Sequence, residues 1–217
     1  MRIVCISDTH GTHHRLSLPP GDMLLHAGDV SSRGTEEQVA DFLDWFGKLP
    51  YPHKVLVAGN HDFYFEQAPR EDIRALIPEG VTYLNDSGVE LGGLRIWGSP
   101  IQPWFFDWAF NRQRGADIQQ HWDLIPPEVD ILITHGPAYG ILDQTVGGEA
   151  VGCEDLLNTI RRVRPQVHLA GHIHEAYGVA EHEGTLYINA SILNVRYRIA
   201  NDPVILEVDT MGKIQLA

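Results

Sequence analysis

Thiols are scarce in this chain: two cysteines, Cys5 and Cys153, stand among 217 residues. That excludes a disulfide-built scaffold and points to buried thiols in a reducing compartment. Apolar runs approaching the ~20 residues of a membrane span are absent. So is a basic segment followed by an apolar leader, because residues 1–6 go straight into a strand-like run. The expectation is a cytoplasmic protein with no membrane partner. Positive charge is also short. With 16 Lys+Arg against 29 Asp+Glu, the formal net charge is −13, which argues against a surface that tracks polymeric nucleic acid. A small phosphate substrate stays compatible, since bound cations supply local positive charge. Repeats, low-complexity tracts and linker-like stretches are missing, so residues 1–217 read as one domain.

Histidine, by contrast, is abundant, with 12 residues, and its placement follows the strands. Residues 2–7 form a nearly continuous apolar run of the kind buried on both faces, ending in Asp8-Thr9-His10-Gly11. Residues 22–29 run into Gly28-Asp29, and 54–58 into Gly59-Asn60-His61-Asp62. Residues 130–134 run into His135, and 167–170 into Gly171-His172-Ile173-His174. In extended chain, the i, i+2 spacing of Asp8/His10 and of His172/His174 puts each pair on one side. His26 lies inside an apolar run and reads as a core histidine, whereas His13 and His14 share no face and read as loop residues. Between the strands, Thr35 and Gln38 form a capping box ahead of the stripe Val39, Phe42, Leu43, Phe46, closed by Gly47. Further helices are expected over 70–77 and from about Glu154, the latter with Leu156, Leu157, Ile160 and Val163 inward. Strands are expected near 81–84 and 94–97, as a hairpin at 178–181 and 185–188, and at 204–208. From Gly98 to Trp122 the periodicity breaks. Trp104, Phe105, Phe106, Trp108 and Phe110 there either pack on the body of the domain or frame a substrate.

Polar clusters at the carboxyl ends of successive strands mark a site in alternating strand–helix folds. Asp, Asn and His without thiolate suit Mn²⁺, Fe or Zn²⁺. Two such ions about 3.5–4 Å apart, bridged by a carboxylate, clamp the attacking and leaving oxygens of a phosphoryl transfer.

The blocks Asp8-x-His10, Gly28-Asp29, Gly59-Asn60-His61-Asp62, His135 and Gly171-His172-x-His174 resemble, in order and spacing, the calcineurin-like metallophosphoesterase superfamily. Ala27-Gly-Asp29, Ile131-Leu-Ile-Thr-His-Gly-Pro137, Gly171-His-Ile-His-Glu175 and Asn189-Ala-Ser191 are similar to its branch of metallophosphoesterase-domain-containing proteins described from animal brain. The resemblance implies an α/β fold, a four-layer α/β/β/α sandwich of two mixed β-sheets flanked by helices. It implies a first metal held by Asp8, His10, Asp29 and His174, and a second by Asp29 (bridging), Asn60, His135 and His172. It makes His61 the general acid, or a donor to the transition state. The activity implied is a binuclear metal-dependent phosphodiesterase acting on nucleotide-like diesters, cyclic nucleotides included, through in-line attack by a hydroxide shared between the ions.

One departure bears on the activity. Where protein phosphatases of the superfamily carry a second Asp that orients the catalytic histidine, this chain has Ser32; the following Arg33 is kept and is a candidate phosphate contact. Asp62 is not expected to substitute, because adjacent side chains in extended chain point to opposite faces. The missing acid supports an alternative reading, a nucleotide-binding regulatory module with weak or vestigial hydrolysis; the filled ligand set favours the enzyme. Finally, Asn189 and Ser191 follow an apolar strand as the other blocks do. They are candidates for a substrate-binding rim with Trp104 or Phe105 stacked on a base, the alternative being that Asn189 ties down its own turn.

Overall fold

Strands that are apolar at successive positions need cover on both sides, and here each side is supplied by a different layer. In the computed structural model, which describes residues 1–217, the chain runs β1 (Arg2–Ile6), β2 (Met23–His26), α1 (Glu36–Lys48), β3 (His53–Leu56), α2 (Phe63–Gln67), α3 (Arg70–Leu76) and β4 (Val81–Tyr83). It continues through β5 (Ser87–Leu91), β6 (Leu94–Ser99), β7 (Gln102–Pro103), β8 (Asn111–Arg112), α4 (Ala116–Trp122), β9 (Ile131–Thr134), α5 (Glu154–Val163) and β10 (Val167–Ala170). β11 (Gly178–His182), β12 (Thr185–Asn189), β13 (Val204–Val208) and β14 (Ile214–Leu216) complete it. Two six-stranded sheets result, ordered β14-β13-β1-β2-β3-β4 and β11-β12-β10-β9-β6-β5. Both are mixed. β1–β4 are mutually parallel with β13 antiparallel to β1, and β12, β10, β9 and β6 are parallel with antiparallel edges β11 and β5.

Ile3, Cys5, Leu25 and Val55 of the first sheet share one core with Ile131, Ile133, Leu169 and Ile188 of the second, between the two sheets. Their neighbours Val4, Ile6, Leu24 and Leu56 face the other way, toward the expected stripe Val39, Phe42, Leu43, Phe46 of α1. On the far side, Leu132 and Tyr187 meet Leu156, Ile160 and Trp122 of α5 and α4. The layers are therefore α/β/β/α. Both cysteines are buried and free.

The structure departs from expectation where local signals were thin. α4 lies inside the aromatic stretch that showed no periodicity; it is seven residues long and buries only Ile118 and Trp122. β5 occupies Ser87–Leu91, starting within Asn85-Asp86-Ser87-Gly88, a stretch whose composition reads as a turn. Leu157 of α5 is only partly covered. His26 is the core histidine expected, fully buried with Nε2 3.1 Å from Thr9 Oγ1 and Nδ1 accepting from Gly28 N. His13 and His14 are not simple loop residues. They sit on a short 3-10 turn, His13–Arg15, with the His13 ring buried beneath α1.

Candidate metal centre

Parallel strands point their carboxyl ends the same way, and the exits of β1, β2, β3, β9 and β10 converge along the seam between the sheets. The convergence does not come from extended chain. Asp8, His10, Asp29 and His172 have φ of 55°, 41°, 57° and 69°, a left-handed conformation uncommon for side chains of this size and found where surrounding structure enforces it. This curl replaces the expected same-side geometry of His172 and His174. His174 turns toward His10, their Nε2 atoms 3.3 Å apart, while His172 turns toward His135, ring centres 5.0 Å apart.

The backbone must also come very close to the carboxylates. A Cβ on Gly171 would overlap Asp8 Oδ2, and one on Gly59 would overlap Asp29 Oδ1, so only glycine lets these loops pass.

Asp29 sits at the middle. Its Oδ1 accepts from His61 N at 2.8 Å, and its Oδ2 lies 3.5 Å from His10 Nε2 and 3.4 Å from His135 Nε2. On one side, Asp8, His10 and His174 gather ligand atoms within 4.8 Å of one another; on the other, Asp8, Asp29 and His135 do so, with Asn60 Oδ1 2.9 Å from His135 Nε2. Asp8 and Asp29 thus belong to the seam itself.

Neighbouring groups fix the tautomers. His135 Nδ1 donates to Ala27 O at 2.9 Å and His174 Nδ1 to Asn194 O at 3.1 Å, which turns each Nε2 inward. Orientation of ligating histidines through the other ring nitrogen is the usual supporting-shell device. Asp8 Oδ2 accepts from Ser191 Oγ at 2.7 Å, and His172 N lies within 3.1 Å of both Asp8 oxygens.

Burial works against charge on Asp8 and Asp29. Even so, the hydrogen bond from His174 and the charge of His135 on Asp8, and His135 with His10 on Asp29, hold both well below the usual carboxylate range. Burial likewise opposes charge on His135, but Asp29 and Asp8 outweigh it and raise its pKa to about 9. Burial, reinforced by His135, lowers His172 to about 3 and keeps it neutral. Anionic oxygens and inward Nε2 atoms with no thiolate form a donor set suited to divalent cations. The buried Nδ1 of His10 lacks a partner, whereas the facing Nε2 atoms of His10 and His174 would share a cation held with Asp8.

His61 stands at the edge of this cluster, with a ligand-capable atom also within reach of His10 and Asp29. Its Nδ1 lies 2.9 Å from Ser32 O, and since a carbonyl only accepts, Nδ1 carries the hydrogen and Nε2 is left free. The Ser32 hydroxyl points elsewhere, donating to His10 O at 2.6 Å. Arg33 is exposed beside it. Asp62 is not free to assist His61: fully buried, it accepts from Val30 N, Ser31 N, Ser31 Oγ and Gly59 N at 2.7–3.1 Å, stapling the β2 and β3 exits together.

Asn189 and Ser191 are not on a substrate rim. Both are fully buried. Asn189 Nδ2 donates to the carbonyls of Gly171 and Ile173, its Oδ1 accepts from Ser191 N, and the Ser191 hydroxyl donates to Asp8. They underpin the His172–His174 loop because the β12 exit passes beneath it. Trp104 and Phe106 are exposed at 52% and 76%. The aromatics that reach the centre are Trp108, whose ring lies 4.3 Å from that of His61 at 34°, and Phe105, edge-on to His172 at 5.2 Å. Tyr197, at φ 55°, sets its ring 4.9 Å from His10 and 5.3 Å from His174. No sequence signal marked Tyr197, which lies in an exposed loop between two arginines.

Comparison with known proteins places these features. The calcineurin-like phosphoesterase family profile matches residues 1–176. Metallophosphoesterase domain-containing protein 1 of Homo sapiens is 43% identical over 232 residues, covering 96% of this chain and 71% of that protein. UPF0046 protein T07D4.2 of Caenorhabditis elegans is 39% identical over 238 residues, covering 96% of this chain and 60% of that one. One crystal structure matches with a TM-score of 0.66 at 16% identity, covering 100% of this chain and 98% of the other, a likeness of fold.

Proposed function

As this chain belongs to the calcineurin-like phosphoesterase family, we propose that it is a binuclear metal-dependent phosphodiesterase that hydrolyses small nucleotide-like diesters, cyclic nucleotides among them. The observation that carries the reading is Asp29, one oxygen of which faces His10 on one side and His135 on the other. Asp8, His10, Asp29 and His174 would hold one ion, and Asp29, Asn60, His135 and His172 the other, with Mn²⁺, Fe or Zn²⁺ suited to the donors. When bound, the pair supplies Lewis acidity to the phosphoryl oxygens and makes water a stronger nucleophile.

The chain's own residues supply the rest. As an imidazolium with Nδ1–H tied to Ser32 O, His61 would deliver its Nε2 proton to the leaving alkoxide and be left as the neutral Nδ1–H imidazole, a role worth ~10²–10⁴ in rate. Trp108 packs against the imidazole and limits its swing. Phe105 lies edge-on to His172 and Tyr197 edge-on to His10, one against each histidine group of the centre. Arg33, exposed beside Ser32, is the cation nearest in sequence for a phosphate oxygen. The net charge of −13 fits a small diester better than a polynucleotide. No helix is long and apolar enough to cross a membrane, and two free buried thiols accord with a cytoplasmic setting.

A second reading, nucleotide binding without useful turnover, is favoured by one feature: a carbonyl at Ser32 rather than a carboxylate orients His61. One assay separates them. With Mn²⁺, bis(p-nitrophenyl) phosphate and a panel of 2′,3′- and 3′,5′-cyclic nucleotides are expected to be hydrolysed faster than p-nitrophenyl phosphate. Nucleotide binding without hydrolysis establishes the second reading, and a preference for the monoester overturns the diesterase assignment.

A further inference from the structure

Away from the seam, the loop leaving β1 ends against α1 in a cluster the reaction does not use. His13 Nε2 lies 3.1 Å from Asp41 Oδ2, and His14 Nε2 lies 3.1 Å and 3.2 Å from Asp41 Oδ1 and Oδ2. The ligand atoms of His13, His14 and Asp41 all fall within 4.8 Å of one another.

The environment of His13 is the second observation. Its side chain is 1% exposed and packed between Phe42, edge-on at 5.3 Å, and Trp45 at 5.0 Å, with the His14 ring 4.3 Å away. Despite the short approach to Asp41, neither ring nitrogen of His13 makes an aligned hydrogen bond. A buried imidazole with both nitrogens unpaired costs free energy that a native structure ordinarily recovers with a partner. Nε2 nevertheless lies 3.1 Å from a carboxylate oxygen, with a second imidazole beside the ring. Burial, with His14 beside it, also pulls the His13 pKa below its ordinary value, favouring the neutral form that ligates.

We propose that His13, His14 and Asp41 form a third metal site, selective for a zinc-class divalent cation. Two imidazoles and a carboxylate are a borderline donor set of the kind zinc accepts. A tetrahedral ion with bonds of about 2.0–2.1 Å spaces its ligands by roughly 3.3 Å, close to the separations from Asp41. The side chains of His14 and Asp41 are 57% and 56% exposed, so water completes the shell and the ion exchanges with solvent. Bound there, it joins residues 13–14, just beyond Asp8 and His10, to α1. The ion therefore steadies the loop that carries two ligands of the main centre without touching substrate.

The test is zinc stoichiometry at equilibrium. Wild type, His14→Ala and Asp41→Asn are dialysed against micromolar Zn²⁺, and bound zinc is counted per chain; long-range ¹H–¹⁵N spectra of the histidine rings are recorded alongside. Both substituted side chains are exposed, and thermal denaturation in EDTA checks that each variant folds. The expected result is one zinc fewer per chain in each variant and zinc-dependent shifts of the His13 and His14 nitrogens in wild type. Equal zinc in all three proteins overturns the site, as does occupancy at these residues only at millimolar zinc.

Discussion

The imidazole of His61 hangs from the backbone of Ser32, its Nδ1 2.9 Å from the carbonyl oxygen. A peptide carbonyl fixes the tautomer as a carboxylate does, but it lends the ring no negative charge. The residue is therefore well aimed and only modestly assisted. His61→Ala is expected to retain both metals and to lose turnover by ~10²–10⁴ on diesters with poor leaving groups, with a smaller loss for p-nitrophenolate, which needs little protonation. Metal analysis and a leaving-group series check this; loss of metal in the variant makes His61 a ligand instead.

Trp108 is expected to act on kcat through His61. Trp108→Ala removes the ring packed 4.3 Å from the imidazole, and a mispositioned acid costs ~10-fold or more, within the range seen for small displacements. KM for bis(p-nitrophenyl) phosphate is expected to change little. A variant impaired mainly in KM for nucleotides would make Trp108 a base platform.

Ser191 and Asn189 separate metal affinity from stability. Ser191→Ala deprives Asp8 of its 2.7 Å hydroxyl donor and is expected to weaken metal binding ~10–100-fold, typical of losing a supporting partner. Asn189→Ala strands buried carbonyls of the His172–His174 loop and is expected to cost ~1–3 kcal/mol of stability, with nucleotide and minimal substrates affected alike. Metal titration and denaturation curves distinguish the two. A selective loss for nucleotides in Asn189→Ala would put that residue on the rim after all.

The His135–Asp29 pair makes the metal-free protein sensitive to alkali. His135 is raised from 6.5 to about 9, after burial's opposing effect is outweighed by Asp29. A raised folded-state pKa means stability fully present below pH 6.5 and lost as pH climbs through 9, on the order of 3 kcal/mol. The Tm of EDTA-treated protein is therefore expected to fall across that window and to lose this fall in His135→Asn. A divalent cation must displace the same proton, so metal binding at pH 7 is expected to release protons and to tighten as pH rises. Calorimetry in buffers of different ionisation enthalpy measures the release.

The strand exits were legible because each polar block follows an apolar run that needs burial on both faces, and parallel strands bring such exits together. What the pattern could not convey is which way a side chain faces once the chain curls. Asp8, His10, Asp29 and His172 all adopt positive φ, so the extended-chain argument failed at the same residues that the seam brings together. Asn189 and Ser191 carry the same local signal as Asp8 or His135 yet face inward, because β12 exits under the loop after β10. The segment around Trp108 and the lone Tyr197 have no periodicity at all, since contacts to the seam rather than repeating burial fix them.

Metal occupancy resolved in space decides the binuclear reading. Crystals loaded with Mn²⁺ and measured near the manganese edge are expected to show two anomalous peaks about 3.5–4 Å apart, with the Asp29 carboxylate between them, Asp8, His10 and His174 around one, and Asn60, His135 and His172 around the other. A single peak at the seam, or two peaks of which Asp29 touches only one, contradicts it.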